Sequence, residues 1–212
     1  MAVITIRGQL GSGAPEIGKI VAVKLDLDYV DREIIADVAA HLKWSKTGIE
    51  QKEKPPGTIW GRIAESLAKT YPIDTEGDLW THTPTWEMVM DDDHYVEGLK
   101  SVIKELAANN SIVIRGRGSQ FILKDYPGAF HILMVAPLEV RIKRVMADLK
   151  IDEDNARKEI NRFDGSRRQF TKRYFNAELE DPLNYDMVLN SSHLSFENSA
   201  AIIISAVTNQ IN

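Results

Sequence analysis

The N-terminal segment of the chain combines a short apolar run, a glycine-rich turn and the start of an amphipathic helix. Residues 2–6 (AVITI) predict a buried strand, residues 8–13 (GQLGSG) a tight turn, and Pro15 suits the first turn of a helix. Glycines let consecutive backbone N–H groups converge on one anion, and a helix N-terminus adds partial positive charge. The segment therefore favours a phosphate-binding loop, and a plain strand-to-helix turn is the alternative.

The spacing of Gly8 and Gly13 matches the first half of a P-loop, but the second half differs. Ala14 stands where the motif has lysine, and Pro15 where it has serine or threonine. That lysine reaches the outer phosphates and that hydroxyl binds Mg²⁺. Lys19 is a poor substitute, because it lies about 140° around the helix and about 7.5 Å along it from Ala14.

Composition restricts the class of protein. The 212 residues allow one α/β domain with a sizeable insertion. A net charge of −5 argues against a nucleic-acid or anionic-membrane partner. The sequence has no cysteine, which excludes disulfides and thiolate metal sites, and no apolar run long enough to cross a membrane. We therefore expect a cytoplasmic protein.

Four more predicted strands, within residues 25–31, 111–115, 130–135 and 181–190, alternate with helical patterns. This order predicts an α/β fold of three layers, α/β/α, around a five-stranded parallel sheet. Ligands bind at the carboxyl ends of such strands, so Asp31 and Arg32, which follow the second strand, are expected to line the site. The alternative for Asp31 is a helix cap. His131 alternates with apolar neighbours and is expected in the core or at a strand edge.

Arg117 lies between two glycines at the end of the third predicted strand. The planar fork of an arginine at this position suits a phosphate or a carboxylate, and an exposed loop arginine is the alternative.

Two segments interrupt the α/β pattern. Residues 43–84 are irregular and predict an insertion, which could close over substrate or form contacts in a homo-oligomer. Residues 150–177 are rich in arginine, including Arg162, Arg167 and Arg168. Over a phosphate loop these arginines could act as a cationic clamp, and a solvated face with salt bridges to Asp164 and Glu159 is the alternative.

Taken together, the motifs resemble those of the cytidylate kinase-like family, within the nucleoside monophosphate kinase branch of P-loop proteins. The resemblance covers nearly the whole chain. It depends on residues 4–6 with 11–13 and 16–17, YVDRE at 29–33, IRGRG at 114–118, VAPLEVRIxR at 135–144, and DPxxYDxVLN at 181–190.

The resemblance implies a single domain over residues 1–212, with a phosphate loop, an inserted acceptor-binding segment at 43–84 and an arginine-rich lid at 150–177. It implies transfer of the γ-phosphoryl of ATP, with Mg²⁺, to a pyrimidine nucleoside monophosphate such as CMP. The implied donor site is the loop, namely Gly8, Gly11, Ser12, Gly13 and Ala14. Arg117 would hold the acceptor phosphate beside Asp31 and Arg32, Asp31 would support Mg²⁺ or the acceptor, and the lid would contribute Arg162, Arg167 and Arg168.

The chain departs from true cytidylate kinases at two places. In the loop, Ala14 and Glu16 replace lysine and threonine. Beside the pair Gly116-Arg117, Arg115 and Gly118 replace acidic residues. Kinase-like relatives also lack the loop lysine and usually have Ser-Arg in place of Arg7-Gly8. The loss of one cation beside a transferring phosphoryl group costs several kcal/mol of transition-state stabilisation. The alternatives to a kinase for CMP are therefore a nucleotide-binding regulatory protein without turnover and a kinase for another small acceptor.

Overall fold

The computed structural model describes residues 2–31, 93–109 and 111–211. The chain divides into two compact units, one formed by Met1–Asp31 with Asn110–Asn212 and the other by Arg32–Asn109. The predicted insertion at 43–84 and Arg32 lie outside the described residues. The second unit is represented by one helix, α2 (Asp93–Asn109).

The first unit alternates strands and helices along the chain. Its strands are β1 (Val3–Gly8), β2 (Asp28–Val30), β3 (Ile112–Arg115), β4 (Ala129–Val135) and β5 (Met187–Asn190). Its helices are α1 (Ala14–Leu25), α3 (Ser119–Ile122), α4 (Leu138–Leu149), α5 (Glu153–Phe175) and α6 (Phe196–Ile211), with a 3₁₀ turn at Pro182–Asn184. None of the helices described here is long and apolar enough to cross a membrane.

The five strands form one sheet in the order β2-β3-β1-β4-β5, and every neighbouring pair is parallel. The predicted fold class is confirmed: the protein has an α/β fold of P-loop NTPase type around a five-stranded parallel sheet. Because the strands are parallel, all their carboxyl ends meet at one edge. The glycine-rich loop after β1 lies at the centre of that edge.

The main core lies between the sheet and helices α1 and α6. Alternate β1 residues Ile4 and Ile6 face this core, as do Ile17 and Val21 of α1 and Ile203 of α6. Side chains of a strand alternate between faces, so Thr5 and Arg7 of β1 project to the opposite face. The face of β1 opposite the main core therefore carries the buried hydroxyl of Thr5 and the buried guanidinium of Arg7.

Two predicted boundaries were wrong by a few residues, each for a local reason. The second strand begins at Asp28, because α1 runs to Leu25 and Asp26 caps it in the left-handed region with φ 53°. The last strand begins at Met187, because Asp181 caps the 3₁₀ turn that follows it. Helix α1 begins at Ala14, so the prediction that Pro15 lies in its first turn is confirmed. The arginine-rich segment is the single helix α5, capped by Asp152.

His131 is buried within the sheet, so its prediction as a core residue is confirmed. Its Nδ1 is 2.8 Å from the Thr5 hydroxyl, and its backbone N–H donates to the Asp186 carboxylate at 2.7 Å. Burial lowers the pKa of His131, and Asp186 and a hydrogen bond with the Leu123 backbone offset only part of that effect. The neutral imidazole is thus the form that the fold stabilises.

Because His131 is buried, we expect the free energy of unfolding of the protein to fall on acidification. The pKa of His131 is lower in the folded than in the unfolded state, so the unfolded chain binds more protons once the pH falls below about 6.5. We expect His131→Gln to reduce the slope of unfolding free energy against pH between 7.5 and 5.5, by at most about 1.4 kcal/mol per pH unit. Urea denaturation at several pH values measures the slope. His193→Gln, at an exposed position, is the control, and equal slopes for wild type and His131→Gln would contradict the prediction.

Candidate phosphate-binding site

The loop between β1 and α1 has the backbone geometry of an anion cradle. Gly11 and Gly13 have φ of 79° and 81°, which other residues rarely adopt, and the loop closes through the Ser12 N–H to Gln9 O bond at 3.0 Å. Within the described parts of the chain, the N–H groups of Gly11, Gly13 and Ala14 have no hydrogen-bond acceptor. Unpaired amides at a helix N-terminus are what the phosphates of a nucleotide need, so this loop fits the donor that the sequence predicts.

Two arginines of α4 hold the loop from its outer side. Arg144 donates to the carbonyl of Gly11 at 3.2 Å and to the hydroxyl of Ser191 at 2.9 Å. The Ser191 hydroxyl in turn donates to the carbonyl of Ser12 at 2.7 Å. Arg141 donates to the carbonyl of Leu10 at 3.3 Å. Because the loop carbonyls are bonded outward, the loop is fixed with its N–H groups available for a ligand.

Arg141 also forms a buried ion pair with Asp164 of α5. The two side chains meet at 2.6 Å, and the residues are 8% and 3% exposed. The other carboxylate oxygen of Asp164 accepts from the backbone N–H of Leu10 at 3.1 Å. Asp164 thus ties the arginine-rich helix to the phosphate loop. The interpretation of Asp164 as a solvated surface partner was wrong, because the acid lies inside the α4–α5 contact.

The ends of β2 and β3 bring Asp31, Arg115 and Arg117 to the same edge of the sheet. Arg115 lies 3.8 Å from the Asp31 carboxylate. Arg117 has φ 57° between Gly116 and Gly118, which have φ of 85° and 70°. A non-glycine residue in this region is uncommon and is often found where function constrains the backbone. The structure therefore places the two described acceptor-site predictions, Asp31 and Arg117, just after the ends of adjacent strands, and their roles stay predictions.

Arg7, at the end of β1, is a buried cation; the sequence identifies it only as a departure from kinase-like relatives, not as a site residue. It is 7% exposed and donates to the carbonyl of Gly8. Burial lowers the pKa of its guanidinium, and the nearby positive charge of Arg115 lowers it further. Tyr185, Asp164 and Glu180 counteract part of that effect. The sequence signal that could have identified Arg7 is a charged residue at the end of an otherwise apolar strand. Arginine is rarely buried there unless a partner compensates its charge.

The three predicted lid arginines lie along α5 in different environments. Arg162 pairs with Glu159 at 2.8 Å on the surface, as the alternative interpretation expected. Arg167 lies over the ring of Phe163 and donates to its carbonyl at 2.9 Å. Arg168 lies 3.4 Å from Glu180, which accepts a 3.5 Å hydrogen bond from Gln9. Arg168 is therefore linked to the loop through Glu180, and a catalytic role for any of the three stays a prediction.

The described side chains do not form a metal site. No group of three or more acidic or histidine residues in the described ranges could hold an ion, and Pro15 stands where a P-loop has its Mg²⁺-binding hydroxyl. The loop therefore fits a nucleotide's phosphates, and the described residues add no cluster of Mg²⁺ ligands beside it.

The sheet order, the loop at the carboxyl end of the central strand and the arginines around it define an α/β protein of the P-loop NTPase type. A model of the cytidylate kinase-like family matches residues 3–193, so the chain belongs to that family.

Two relatives align with nearly the whole chain, and a solved structure shares its fold. The chain is similar to the cytidylate kinase of Methanocaldococcus jannaschii, with 27% identity over 98% of each chain. It is also similar to the cytidylate kinase of Sulfolobus acidocaldarius, with 24% identity over 97% of this chain and 93% of the relative. The crystal structure of an uncharacterized protein from Eubacterium ventriosum has the same fold, with a TM-score of 0.70, 18% identity and coverage of 98% and 99%.

Proposed function

We propose that the protein is a phosphotransferase of the nucleoside monophosphate kinase type, which moves the γ-phosphoryl of ATP to a pyrimidine nucleoside monophosphate such as CMP. The observation that carries the proposal is the loop, where the N–H groups of Gly11, Gly13 and Ala14 lack acceptors in the described structure. Arginines surround this loop at the carboxyl edge of the sheet. Two relatives that align over nearly the whole chain are named cytidylate kinases.

Each part of the site has a proposed task. The loop residues Gly8 to Ala14 bind the donor phosphates through backbone N–H groups, and the bonds from Arg141 and Arg144 keep the loop in shape. Arg117 binds the acceptor phosphate, and Asp31, held by Arg115, orients the acceptor. Such transfer needs no covalent enzyme intermediate, because positioning and charge neutralisation provide the catalysis.

Mg²⁺ is the proposed counter-ion of ATP, and it would neutralise the donor phosphates when bound. Because the described side chains offer no metal cluster, we assign it no protein ligands beyond the candidate Asp31. Arg167 and Arg168 are proposed to add positive charge from α5.

A second candidate function is nucleotide binding without turnover, in a regulatory protein with the same fold. Ala14 favours it, because this position lacks the lysine that neutralises the transferring phosphoryl group. A binding protein would gain stability from nucleotide without forming product, since any ligand of the native state raises its stability. A kinase for another small acceptor is the third candidate.

An assay of phosphoryl transfer from Mg-ATP to CMP, dCMP, UMP, AMP and GMP tests the proposal. We expect product with a pyrimidine acceptor, and a loss of kcat/KM of roughly 10-fold to 100-fold in Arg117→Ala, because a charge-assisted bond to the acceptor phosphate is removed. Arg157→Ala is the matched control, since Arg157 is an exposed α5 arginine paired with Glu153 at 2.7 Å.

Three outcomes would count against the proposal or one of its parts. If no acceptor yields product while ATP still raises the melting temperature, the protein binds nucleotide without transferring phosphate to these acceptors. If Asp31→Asn leaves turnover and Mg²⁺ dependence unchanged, Asp31 has no part in the reaction. A loss in Arg157→Ala equal to that in Arg117→Ala would show that general loss of positive charge, rather than the acceptor site, causes the effect.

A further inference from the structure

Arg7 is a buried cation at the carboxyl edge of the sheet, directly before the loop. In the same region Arg141 pairs with Asp164 at 2.6 Å, Arg168 with Glu180 at 3.4 Å, and Arg115 with Asp31 at 3.8 Å. Within the described ranges no carboxylate lies at ion-pair distance from Arg7, and its hydrogen bond goes to the carbonyl of Gly8.

Within the described part of the chain, the polar groups around Arg7 do not balance its charge. The two described acids near it, Asp164 and Glu180, are already paired with another arginine. The third neighbour, Tyr185, stays neutral, because burial raises the pKa of its phenol to about 12. The Tyr185 hydroxyl donates to the carbonyl of Leu179 at 2.5 Å and accepts from Gln120 at 3.2 Å. A buried charge in such surroundings is costly unless an anion compensates it.

The position of Arg7 indicates which anion would do so. It directly precedes Gly8, the first residue of the phosphate loop, and its backbone is paired with Leu133 of β4. Ile6 faces α1, so Arg7 projects from the opposite face of the sheet, toward Asp164 and Glu180. A loop lysine at position 14 would approach the phosphates from α1. Arg7 can approach them from the other side.

We propose that Arg7 is a phosphate-binding residue of this site and provides positive charge that the loop lacks at Ala14. The assignment rests on the proposed function for the identity of the ligand, a nucleotide, but its chemistry needs only a phosphate bound beside Gly8. A planar guanidinium can bind two phosphate oxygens at once, which makes arginine an effective substitute for a lysine that acts as a point charge.

The test uses pyrophosphate and ATP as probes, with thermal stabilisation and calorimetric affinity as readouts. We expect Arg7→Gln to weaken pyrophosphate binding by about 10-fold to 100-fold, because a charge-assisted hydrogen bond is lost. Arg7→Lys keeps the charge without the fork and should fall between Arg7→Gln and wild type. Arg157→Gln, on the exposed face of α5, should bind pyrophosphate as wild type does.

The outcomes separate this proposal from the proposed function. If Arg7→Gln folds and binds pyrophosphate as tightly as wild type, or if wild type does not bind it, the assignment is overturned. If wild type transfers no phosphate to any acceptor while Arg7→Gln loses pyrophosphate binding, the assignment stands and the kinase proposal fails. If wild type is an active kinase and Arg7→Gln has unchanged kcat/KM and affinity, only the kinase proposal survives.

A crystal structure of the wild-type protein with pyrophosphate covers the case in which Arg7→Gln does not fold. A pyrophosphate oxygen within hydrogen-bond distance of the Arg7 guanidinium would support the assignment. Pyrophosphate in the loop with Arg7 bonded only to Gly8 would overturn it.

Discussion

Replacing Asp164 with alanine is expected to lower the free energy of unfolding by about 3–5 kcal/mol, the range for removing one partner of a buried ion pair. The substitution leaves the Arg141 guanidinium, bonded at 2.6 Å in the wild type, as an uncompensated buried charge. It also removes the acceptor for the Leu10 N–H at 3.1 Å. Urea denaturation followed by circular dichroism measures the change.

Three further variants identify the cause of that loss. Glu159→Ala breaks the exposed pair of α5 with Arg162 and should cost less than about 1 kcal/mol. Asp164→Asn keeps an acceptor for Leu10 and should be less harmful than alanine. The double variant Arg141→Met, Asp164→Leu removes both charges, and should recover much of the stability lost in Asp164→Ala. A cost below about 1 kcal/mol for Asp164→Ala would show that the pair contributes little.

The Asp164 pair also matters for the proposed lid. The predicted lid arginines lie on α5, and Asp164 of the same helix is bonded to both Arg141 and Leu10. A movement of α5 away from the loop would break this ion pair and expose both charges. Residues near position 164 are therefore expected to stay with the loop.

The elements of the fold were predictable because each depends on local patterns. The apolar runs in β1, β3 and β4 and the glycines at 11 and 13 identify strands and a turn from neighbouring residues alone. The parallel sheet follows from the alternation of strands with helices.

The contacts that shape the site were not predictable in the same way. Arg141 and Asp164 are 23 positions apart, and Ser191 and Ser12 are 179 apart, so no sequence period brings them together. The burial of Arg7 beside the loop was not predictable, because Arg7 lies between a predicted strand ending at residue 6 and a turn beginning at residue 8. Only the tertiary arrangement shows that it is buried beside two acids already paired with other arginines.

Substitution of Gly11 by alanine is expected to destabilise the protein by about 2–5 kcal/mol, because two costs add. Gly11 has φ 79°, where an L residue costs about 1–2 kcal/mol. Its new Cβ would also lie 2.7 Å from the carbonyl oxygen and 3.0 Å from the Cα of Arg141. Overpacking of that kind adds about 1–3 kcal/mol, since backbone atoms cannot rotate away.

The variant Gly128→Ala distinguishes the cost of the backbone conformation from the cost of overpacking. Gly128 has φ 76°, but a Cβ built there meets nothing within 4 Å, so Gly128→Ala should cost only the conformational term of about 1–2 kcal/mol. The two variants should also differ in ligand binding. A shifted loop in Gly11→Ala should abolish the rise in melting temperature caused by ATP, whereas Gly128→Ala should retain it. Equal losses of stability in urea, with ATP stabilisation intact in both, would mean that the loop tolerates a displacement from Arg141 and that its geometry does not control phosphate binding.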